Sequence, residues 1–226
     1  MKVLIIIPAY NEEESIEKVI NNLKQNYYQY DYVIINDGSH DHTSEICHKN
    51  KYKIIDLPVN LGLTGAFQTG LKYAYKKGYD YAIQFDADGQ HLPEYIPAMV
   101  DKIEEGYDMV IGSRFVEKPK PRSLRMLGSR VISTAIKITT GVHIADPTSG
   151  MRLFNKTLIK EFAENINYEP EPDTVSFLIK QGVKVAEVQV EMKEREAGES
   201  YLNLSRSIVY MTKMFVSIII LQNFRN

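Results

Sequence analysis

Short apolar runs alternate with amphipathic segments through the first half of the chain. Continuous runs rich in Val, Ile, Leu and Tyr predict buried strands at residues 3–7, 32–35, 53–57, 81–85 and 109–111. Between them, apolar residues recur at helical spacing, as at Ile16, Val19, Ile20 and Leu23. This alternation predicts an α/β fold, in which a mostly parallel sheet is covered by helices on both faces.

The second half of the chain is less regular. Its pattern predicts a helix over about 125–140, a strand over 151–154, a helix capped by Asn155 and a helix over 173–181. Between residues 183 and 192 the alternation shifts by one position, which predicts a β-bulge or two successive strands. The segment 208–221 is apolar on nearly all sides and predicts a last helix. We therefore expect a main domain over residues 1–204 and a C-terminal apolar helix within 205–226.

Composition narrows the class of protein. The chain has 226 residues, 44% hydrophobic and 25% charged, as expected for one large globular domain. Its formal net charge of −2 gives no sign of nucleic-acid binding. The single cysteine, Cys47, excludes an internal disulfide and fits a reducing compartment. No run of 18 uncharged apolar residues occurs, so we expect no integral membrane protein.

Four polar loops directly follow predicted strands. They are PAYNEE, NDGSHD, NLGLTG and DADGQ. In parallel α/β sheets ligands bind outside the carboxyl ends of the strands, so these loops are expected to meet at one binding edge.

The loop DADGQ carries two acids, Asp86 and Asp88, and the amide of Gln90. Two carboxylates at a strand end can hold one small hard cation, Mg²⁺ or Mn²⁺, and leave its other face to a substrate phosphate. The alternative is a simple turn, since Asp and Gly also favour turns. The three other loops expected at the same edge favour the cation site.

Six motifs in this order resemble the family-2 glycosyltransferases of the GT-A fold: PAYNEE, INDGSHDHT, NLGLTGA, DADGQH, GSRF and DPTSGMR. The similarity is strongest to dolichol-phosphate mannose synthases and bacterial polyprenyl-phosphate glycosyltransferases, and it covers about residues 3–200. It implies a Rossmann-like GT-A domain that uses a nucleotide-sugar donor. It also supports Asp86, Asp88 and Gln90 as metal ligands, although Asp86 could instead bond the ribose of the donor.

The resemblance assigns donor binding to the first three loops. Tyr10 would cover the base, and Asp37 would accept hydrogen bonds from the base or ribose. Ordinary loop chemistry is the alternative: Glu12 could stabilise a helix N-terminus and Asp37 a turn. This chain has Asn36 before Asp37, where relatives usually carry two acids. The candidate donor residues are Pro8, Tyr10, Asn11, Glu12, Asp37, Asn60, Gly62 and Asp86.

The acceptor is indicated by residues 112–130, which carry six basic residues against one acid. A sugar hydroxyl as acceptor needs a general base, for which Asp146 is available. A lipid phosphate is already an oxyanion and needs cationic groups that hold it near the sugar. Arg114, Arg125 and Arg130 favour the lipid phosphate, although a basic cluster can also be a solvated surface. Further candidate phosphate contacts are Ser149, Arg195 and Ser200.

The C-terminal segment is too short in its apolar part to span a bilayer, and Arg206 and Arg225 flank it. A basic, apolar helix favours a position in the membrane interface. The alternatives are packing on a small membrane-spanning subunit, on a second copy of the chain, or over the sheet.

Together these features predict a metal-dependent, inverting glycosyltransferase. It would transfer a hexose or N-acetylhexosamine from a nucleotide sugar, UDP rather than GDP, to a polyprenyl phosphate at the cytoplasmic face of the cell membrane. Catalysis is assigned to Arg114, Arg125 and Arg130, with Asp146 as the base if the acceptor is a hydroxyl. The alternatives are transfer to a hydroxyl of a cell-wall glycan, and a non-catalytic subunit that binds sugar nucleotides.

Overall fold

The computed structural model describes residues 1–165, 171–193, 204–220 and 222, and only the backbone of Leu124, Arg125 and residues 204–208. Its strands are β1 (Val3–Ala9), β2 (Asp31–Asn36), β3 (Ile54–Asp56), β4 (Tyr81–Gln84), β5 (Met109–Ser113), β6 (Arg152–Asn155) and β7 (Val185–Gln189). Its α-helices are α1 (Ile16–Asn26), α2 (Thr43–Lys49), α3 (Gly62–Lys77), α4 (Ile96–Glu104), α5 (Leu124–Thr140), α6 (Lys156–Glu164), α7 (Pro172–Lys180) and α8 (Leu204–Ile219). These elements follow the sequence pattern with small shifts at their ends.

The seven strands of the described residues form one sheet in the order β3-β2-β1-β4-β6-β5-β7. Neighbours pair in parallel except at β6, which is antiparallel to both β4 and β5. The predicted α/β architecture with a mostly parallel sheet is confirmed. Because β6 runs in the opposite direction, its amino end lies at the edge where the other strands have their carboxyl ends.

The side chains of β1 serve two apolar clusters, one on each face of the sheet. Leu4 and Ile6 belong to one cluster, and Val3, Ile5 and Ile7 belong to the other. Full burial of such a side chain contributes about 1.5–3 kcal/mol, which explains why the run is continuously apolar. The continuously apolar sequence of β1 therefore agrees with its position as a central strand covered on both faces.

The segment after residue 183 corrects one prediction. Within residues 183–193, which the structure describes, there is one strand, β7, paired with β5 without a bulge, and an isolated bridge between Met192 and His91. The apparent shift arises because both faces are covered: Val183 and Val185 pack in one cluster, and Val188 and Val190 in the other. The expected β-bulge or second strand was therefore wrong.

The C-terminal helix α8 packs against the rest of the fold along one side. Met214 and Ile218 are buried in the same apolar cluster as residues of α5 and α7. In the described parts of the chain, no helix has the length and apolar character needed to cross a membrane. The division at residues 204 and 205 stays a prediction.

Candidate active site at the carboxyl edge of the sheet

The loops after β1 and β2 are joined by hydrogen bonds. The Asn11 N–H donates to Ser39 Oγ (3.0 Å), and Asn11 Oδ1 accepts from the His40 N–H (2.9 Å). The Glu12 N–H donates to Thr43 Oγ1 (2.8 Å). Asn11 has a φ of 55°, a left-handed conformation that Asn tolerates better than most residues. The first two predicted donor loops thus form one unit.

Tyr10 lies at the exposed end of this unit. Its side chain is 43% exposed, and its ring meets the ring of His40 edge-on, with 6.3 Å between centroids. Part of the ring therefore remains available for contact with a flat ligand ring. Pro8 lies in β1 opposite Ile35 of β2, and Glu12 Oε2 accepts from Ser15 Oγ (2.7 Å) just before α1.

Asp37 connects the second loop to the third. It is 4% exposed, and its Oδ1 accepts from the Leu61 N–H at 2.7 Å. Asn60 Oδ1 in turn accepts from the Gly62 N–H at 2.9 Å, at the start of α3. Gly38 permits this contact between loops, because a Cβ there would lie only 2.9 Å from Asn60 N. The structure therefore brings the predicted donor residues of all three loops together.

We expect Gly38→Ala to lower the free energy of unfolding by about 1–3 kcal/mol and to raise the KM for the donor. The added Cβ would be strained at a φ of +68° and would push Asn60 away. Gly78→Ala is the matched control, because its φ is +70° but its added Cβ meets no atom within 4 Å. Urea denaturation and donor titration measure both effects. An equal rise in KM for the two variants would contradict a role for this loop contact.

Asp56, at the end of β3, is a polar residue of this edge that the sequence pattern did not indicate. Asn36 Nδ2 donates to its Oδ1 (2.7 Å), as does Ser44 Oγ (2.8 Å), and His48 Nε2 lies 2.7 Å from its Oδ2. Burial raises the pKa of the Asp56 carboxyl, but these hydrogen bonds outweigh burial and leave the pKa below its usual value. An acid at position 36 would face this carboxylate, which explains the amide there.

The pair of acids after β4 is held in place by His91. The Asp86 N–H donates to His91 Nδ1 (2.9 Å), so the ring proton lies on Nε2, which faces Asp86 Oδ2 at 3.5 Å. His91 is itself buried. A Cβ on Gly150 would lie 3.4 Å from Asp86 Oδ2, so the loop that contains DPTSG runs directly beside this acid. The sequence pattern did not indicate a role for His91, and in the structure His91 supports Asp86.

Asp88 and Gln90 complete the loop after β4. Asp88 Oδ1 accepts from the Gln90 N–H (3.0 Å), and the Gln90 carbonyl accepts from the Lys193 N–H (3.0 Å). Asp88 also borders a groove of about 360 Å³ between α1 and this loop. Its volume lies within the usual range of small-ligand pockets.

The oxygen atoms of this loop fit a small hard cation. Mg²⁺ sites of this kind use one or two carboxylates and complete the coordination with substrate phosphates. Asp86 and Asp88 supply two carboxylates at one strand end, and Gln90 adds an amide oxygen. Within the described residues, no group of three or more His, Cys, Asp or Glu side chains suited to a metal occurs. The two carboxylates and the amide oxygen of this loop are of the ligand types that Mg²⁺ accepts.

Arg114 and Asp146 form a largely buried ion pair at the site. Arg114 Nε donates to Asp146 Oδ2 (2.7 Å), Arg114 Nη2 donates to Oδ1 (2.9 Å), and the Arg114 N–H adds a third bond (3.2 Å). Asp146 is fully buried, whereas the Arg114 side chain is about a quarter exposed. The two residues meet because β5 ends, and the loop before the antiparallel β6 lies, at the same edge of the sheet.

The carboxylate of Asp146 is fully engaged within the protein. Burial would raise its pKa, but the hydrogen bonds and charge of Arg114 outweigh burial, and Thr148 Oγ1 donates a further bond (3.1 Å). The pKa of Asp146 is therefore below its usual value, which makes it a poor proton acceptor. Ser149 is also buried, and its hydroxyl donates to the Gly112 carbonyl at 2.5 Å.

Arg130 and Lys120 order the basic loop that follows β5. Arg130 Nη2 donates to the Lys120 carbonyl (2.6 Å) and the Pro121 carbonyl (3.3 Å). Lys120 Nζ donates to Ser129 Oγ (2.9 Å) and Ser133 Oγ (3.1 Å) on α5. Burial lowers the pKa of Lys120, while Asp146 and Glu187 oppose that shift. Arg125 lies on α5, and Arg195 and Ser200 lie outside the described residues.

Arg152 of β6 and Glu187 of β7 support the DPTSG loop, and neither was predicted from the sequence. Buried Arg152 donates through Nε to the Ser149 carbonyl and through Nη2 to the Pro147 carbonyl, both at 2.9 Å. The carboxylate of Glu187 accepts from the Ala145 N–H (2.6 Å) and the Asp146 N–H (2.8 Å). The final Arg of the DPTSGMR motif was a signal for the first contact, while nothing in the sequence indicates the second.

The same support reaches the C-terminal helix. Arg152 Nη1 donates to the Glu171 carbonyl (3.4 Å), and Tyr210 of α8 donates its hydroxyl to Glu171 Oε2. Burial and the charge of Glu171 raise the pKa of Tyr210, so its hydroxyl stays protonated as a donor. Helix α8 is thus connected through Glu171 and Arg152 to the loop beside Asp86.

We expect Tyr210→Phe to lower the free energy of unfolding by about 1–3 kcal/mol, because it leaves a carboxylate without this donor. Tyr28→Phe is the matched control: Tyr28 is 82% exposed, and its hydroxyl should contribute no more than about 0.5 kcal/mol. Urea denaturation of both variants checks this. Equal midpoints for the two would show that the contact between α8 and Glu171 contributes nothing to stability.

Comparison with known proteins gives consistent similarities. The model of the family described as Glycosyl transferase family 2 matches residues 4–162. UDP-N-acetylglucosamine–dolichyl-phosphate N-acetylglucosaminyltransferase of Methanococcus voltae is 33% identical over 213 residues, covering 83% of this chain and 84% of that protein. Undecaprenyl-phosphate mannosyltransferase of Micrococcus luteus is 29% identical over 229 residues, covering 94% of this chain and 93% of that protein.

Among solved structures, the chain is similar to glucosyl-3-phosphoglycerate synthase from Mycobacterium tuberculosis in complex with Mn²⁺, uridine-diphosphate-glucose and phosphoglyceric acid. The TM-score is 0.71 at 17% identity, covering 98% of this chain and 79% of that chain. At this identity the similarity concerns the fold, and it confirms the predicted GT-A architecture.

Proposed function

The chain belongs to glycosyl transferase family 2, and from that membership we propose that it transfers a sugar from a nucleotide donor to a polyprenyl phosphate. A UDP-sugar is the favoured donor, since one relative is named for UDP-N-acetylglucosamine and the similar solved structure holds uridine-diphosphate-glucose. Two relatives are named for dolichyl-phosphate and undecaprenyl-phosphate acceptors. The reaction would take place at the cytoplasmic face of the cell membrane.

The proposal of a phosphate acceptor is supported above all by the burial and the hydrogen bonds of Asp146. A sugar hydroxyl acceptor needs a carboxylate that can take its proton. Asp146 is fully buried and its oxygens accept from Arg114 and Thr148, which leaves it unsuited to this role. A phosphate needs no such base, and the basic groups near Asp146 suit an anionic acceptor.

Donor binding is assigned to the joined loops. We place the base against the exposed ring of Tyr10, and the base or ribose at Asp37, whose Oδ1 also orders the backbone at Leu61. The backbone near Asn60 and Gly62 lies close enough to this carboxylate to contact the same ligand. Pro8, Asn11 and Glu12 hold the first loop in position, as their contacts to β2 and its loop support.

We place the diphosphate of the donor at the loop after β4. Asp86, Asp88 and Gln90 would hold Mg²⁺ or Mn²⁺, which when bound screens the phosphate charge and makes the nucleoside diphosphate a better leaving group. Asp86 is the residue oriented for this by His91.

We place the acceptor phosphate between this loop and the basic loop after β5. Arg114, Arg125 and Arg130 would hold it, with Arg195 and Ser200 as further contacts. Ser149 supports the loop through Gly112, so we assign it no direct contact. An oxygen of the lipid phosphate attacks the anomeric carbon while the bond from that carbon to the diphosphate oxygen breaks on the opposite side. This direct displacement inverts the anomeric configuration.

A transfer assay tests the proposal. The protein is incubated with Mg²⁺ or Mn²⁺, undecaprenyl phosphate and one labelled donor at a time: UDP-glucose, UDP-N-acetylglucosamine, UDP-galactose or GDP-mannose. We expect label in the organic phase with one of the UDP-sugars. If no donor labels the organic phase, the lipid-phosphate acceptor is wrong.

A further inference from the structure

The side of α8 that faces away from the protein carries a row of apolar side chains, with exposed Lys213 on the same side. Val209, Val216 and Ile220 are exposed, and they follow each other at spacings of seven and four residues, which places them on one helical face. Val209 is 69% exposed. The opposite face, with Met214 and Ile218, is buried in the core.

Helix α5 has the same kind of face, which the sequence pattern did not indicate. Leu127, Val131 and Ile138 are exposed at spacings of four and seven residues, and Ile138 is 74% exposed. The other side of α5, with Ile132 and Ile136, is fully buried. Two helices of the described chain therefore each expose a row of three large apolar side chains.

The two helices are in direct contact. A Cβ on Gly128 of α5 would lie 2.7 Å from Met211 Cγ of α8, so the helices cross closely at this glycine. Leu127 and Val131 flank Gly128 on α5. Leu127, Val131 and Ile138 together with Val209, Val216 and Ile220 are named the α5–α8 face below. Singly exposed apolar residues are ordinary, but two such rows on touching helices indicate an interaction surface.

The sequence segments that contain these two helices carry charge of one sign. Residues 118–145 contain six Lys or Arg and no Asp or Glu, and residues 200–226 contain three Lys or Arg and no Asp or Glu. These two segments carry +9 in a chain of net charge −2, which leaves −11 on the remainder. Such a separation of charge along the chain favours an anionic partner for these two segments.

We propose that the α5–α8 face lies on the surface of a bilayer that contains anionic lipids. Apolar side chains with basic neighbours and no acids are the composition of helices that bind in the membrane interface. This inference deepens the proposed function and rests on it, since the proposed lipid acceptor gives membrane binding its purpose. Arg130, in the first half of α5, donates to the Lys120 carbonyl of the basic loop, so a bilayer under α5 would bring a lipid phosphate near this loop.

Vesicle co-sedimentation tests the inference without any substrate. We expect the protein to bind phosphatidylcholine vesicles that contain phosphatidylglycerol at least about tenfold more tightly than pure phosphatidylcholine vesicles, and to lose this preference at high salt. Ile138→Glu and Val209→Glu should each weaken that binding about tenfold or more. Tyr28→Glu, an exposed aromatic residue outside this face, is the matched control and should bind as the parent does.

Two further measurements keep the outcome clear. Circular dichroism verifies that each variant is folded, and the milder Ile138→Ser replaces any variant that is not. Activity on a short-chain, water-soluble polyprenyl phosphate should persist in Ile138→Glu, which separates a failed membrane surface from a failed function. Unchanged vesicle binding by Ile138→Glu and Val209→Glu would overturn the inference. So would a dimer in sedimentation equilibrium that Ile138→Glu dissociates, because the face would then bind a second copy.

Discussion

We expect Asp88→Ala to lower kcat/KM by at least about 100-fold, because it removes a principal electrostatic contact to the departing diphosphate. The same change should weaken Mn²⁺ binding in calorimetry with a UDP-sugar present, since one of two acidic ligands is lost. Both effects follow from the position of Asp88 at the carboxyl edge, beside Asp86 and the groove along α1.

Asp101→Ala is the matched control for Asp88. Asp101 is an exposed acid on α4. It should keep both the rate and the Mn²⁺ affinity of the parent within about twofold, as surface changes usually do. A near-normal rate for Asp88→Ala would refute its assignment as a metal ligand.

The second large effect concerns the acceptor. We expect the double change Arg125→Ala with Arg130→Ala to raise the KM for a short-chain, water-soluble polyprenyl phosphate by about 10- to 100-fold, as charge-assisted hydrogen bonds are lost. The KM for the donor should stay nearly constant. Loss of Arg130 also releases the carbonyls of Lys120 and Pro121, so the basic loop should become less ordered. Lys137→Ala, an exposed basic change farther along α5, is the control.

Asp146→Asn gives the opposing test. If Asp146 were the base for a hydroxyl acceptor, this change would abolish turnover while the arginine changes would be mild. We expect instead a loss of stability of about 3–5 kcal/mol, because Arg114 loses its buried partner, together with measurable turnover wherever the variant is folded. Thermal denaturation is measured first, and turnover below the midpoint then decides between the two acceptors.

The convergence of the first four loops could be predicted from the sequence. Strands β1 to β4 are parallel, so PAYNEE, NDGSHD, NLGLTG and DADGQ follow their carboxyl ends at one edge. Each loop comes directly after an apolar run, and the alternation of strand and helix fixes the direction of the strands. For this part of the site, chain order alone determines proximity.

The side-chain partners could not be predicted, because they depend on strand order and register. Arg114 and Asp146 are 32 residues apart, and they meet only because β6 is inserted antiparallel between β4 and β5. Glu187 of β7 accepts a hydrogen bond from the Asp146 N–H, and Arg152 of β6 donates to the Pro147 carbonyl in the same loop. The sequence offered Asp146 as a free base, and only these contacts reveal that its oxygens are already engaged.

The most direct test of the central claim compares two acceptors that differ only in the phosphate. Labelled UDP-sugar and Mn²⁺ are supplied with either undecaprenyl phosphate or undecaprenol of the same chain length, and the organic phase is analysed by mass spectrometry. Attack by a phosphate oxygen predicts a sugar-phosphate-lipid product from undecaprenyl phosphate and no product from undecaprenol. Equal transfer to undecaprenol would contradict the account. So would transfer to neither lipid by a protein that does glycosylate a hydroxyl of a cell-wall glycan.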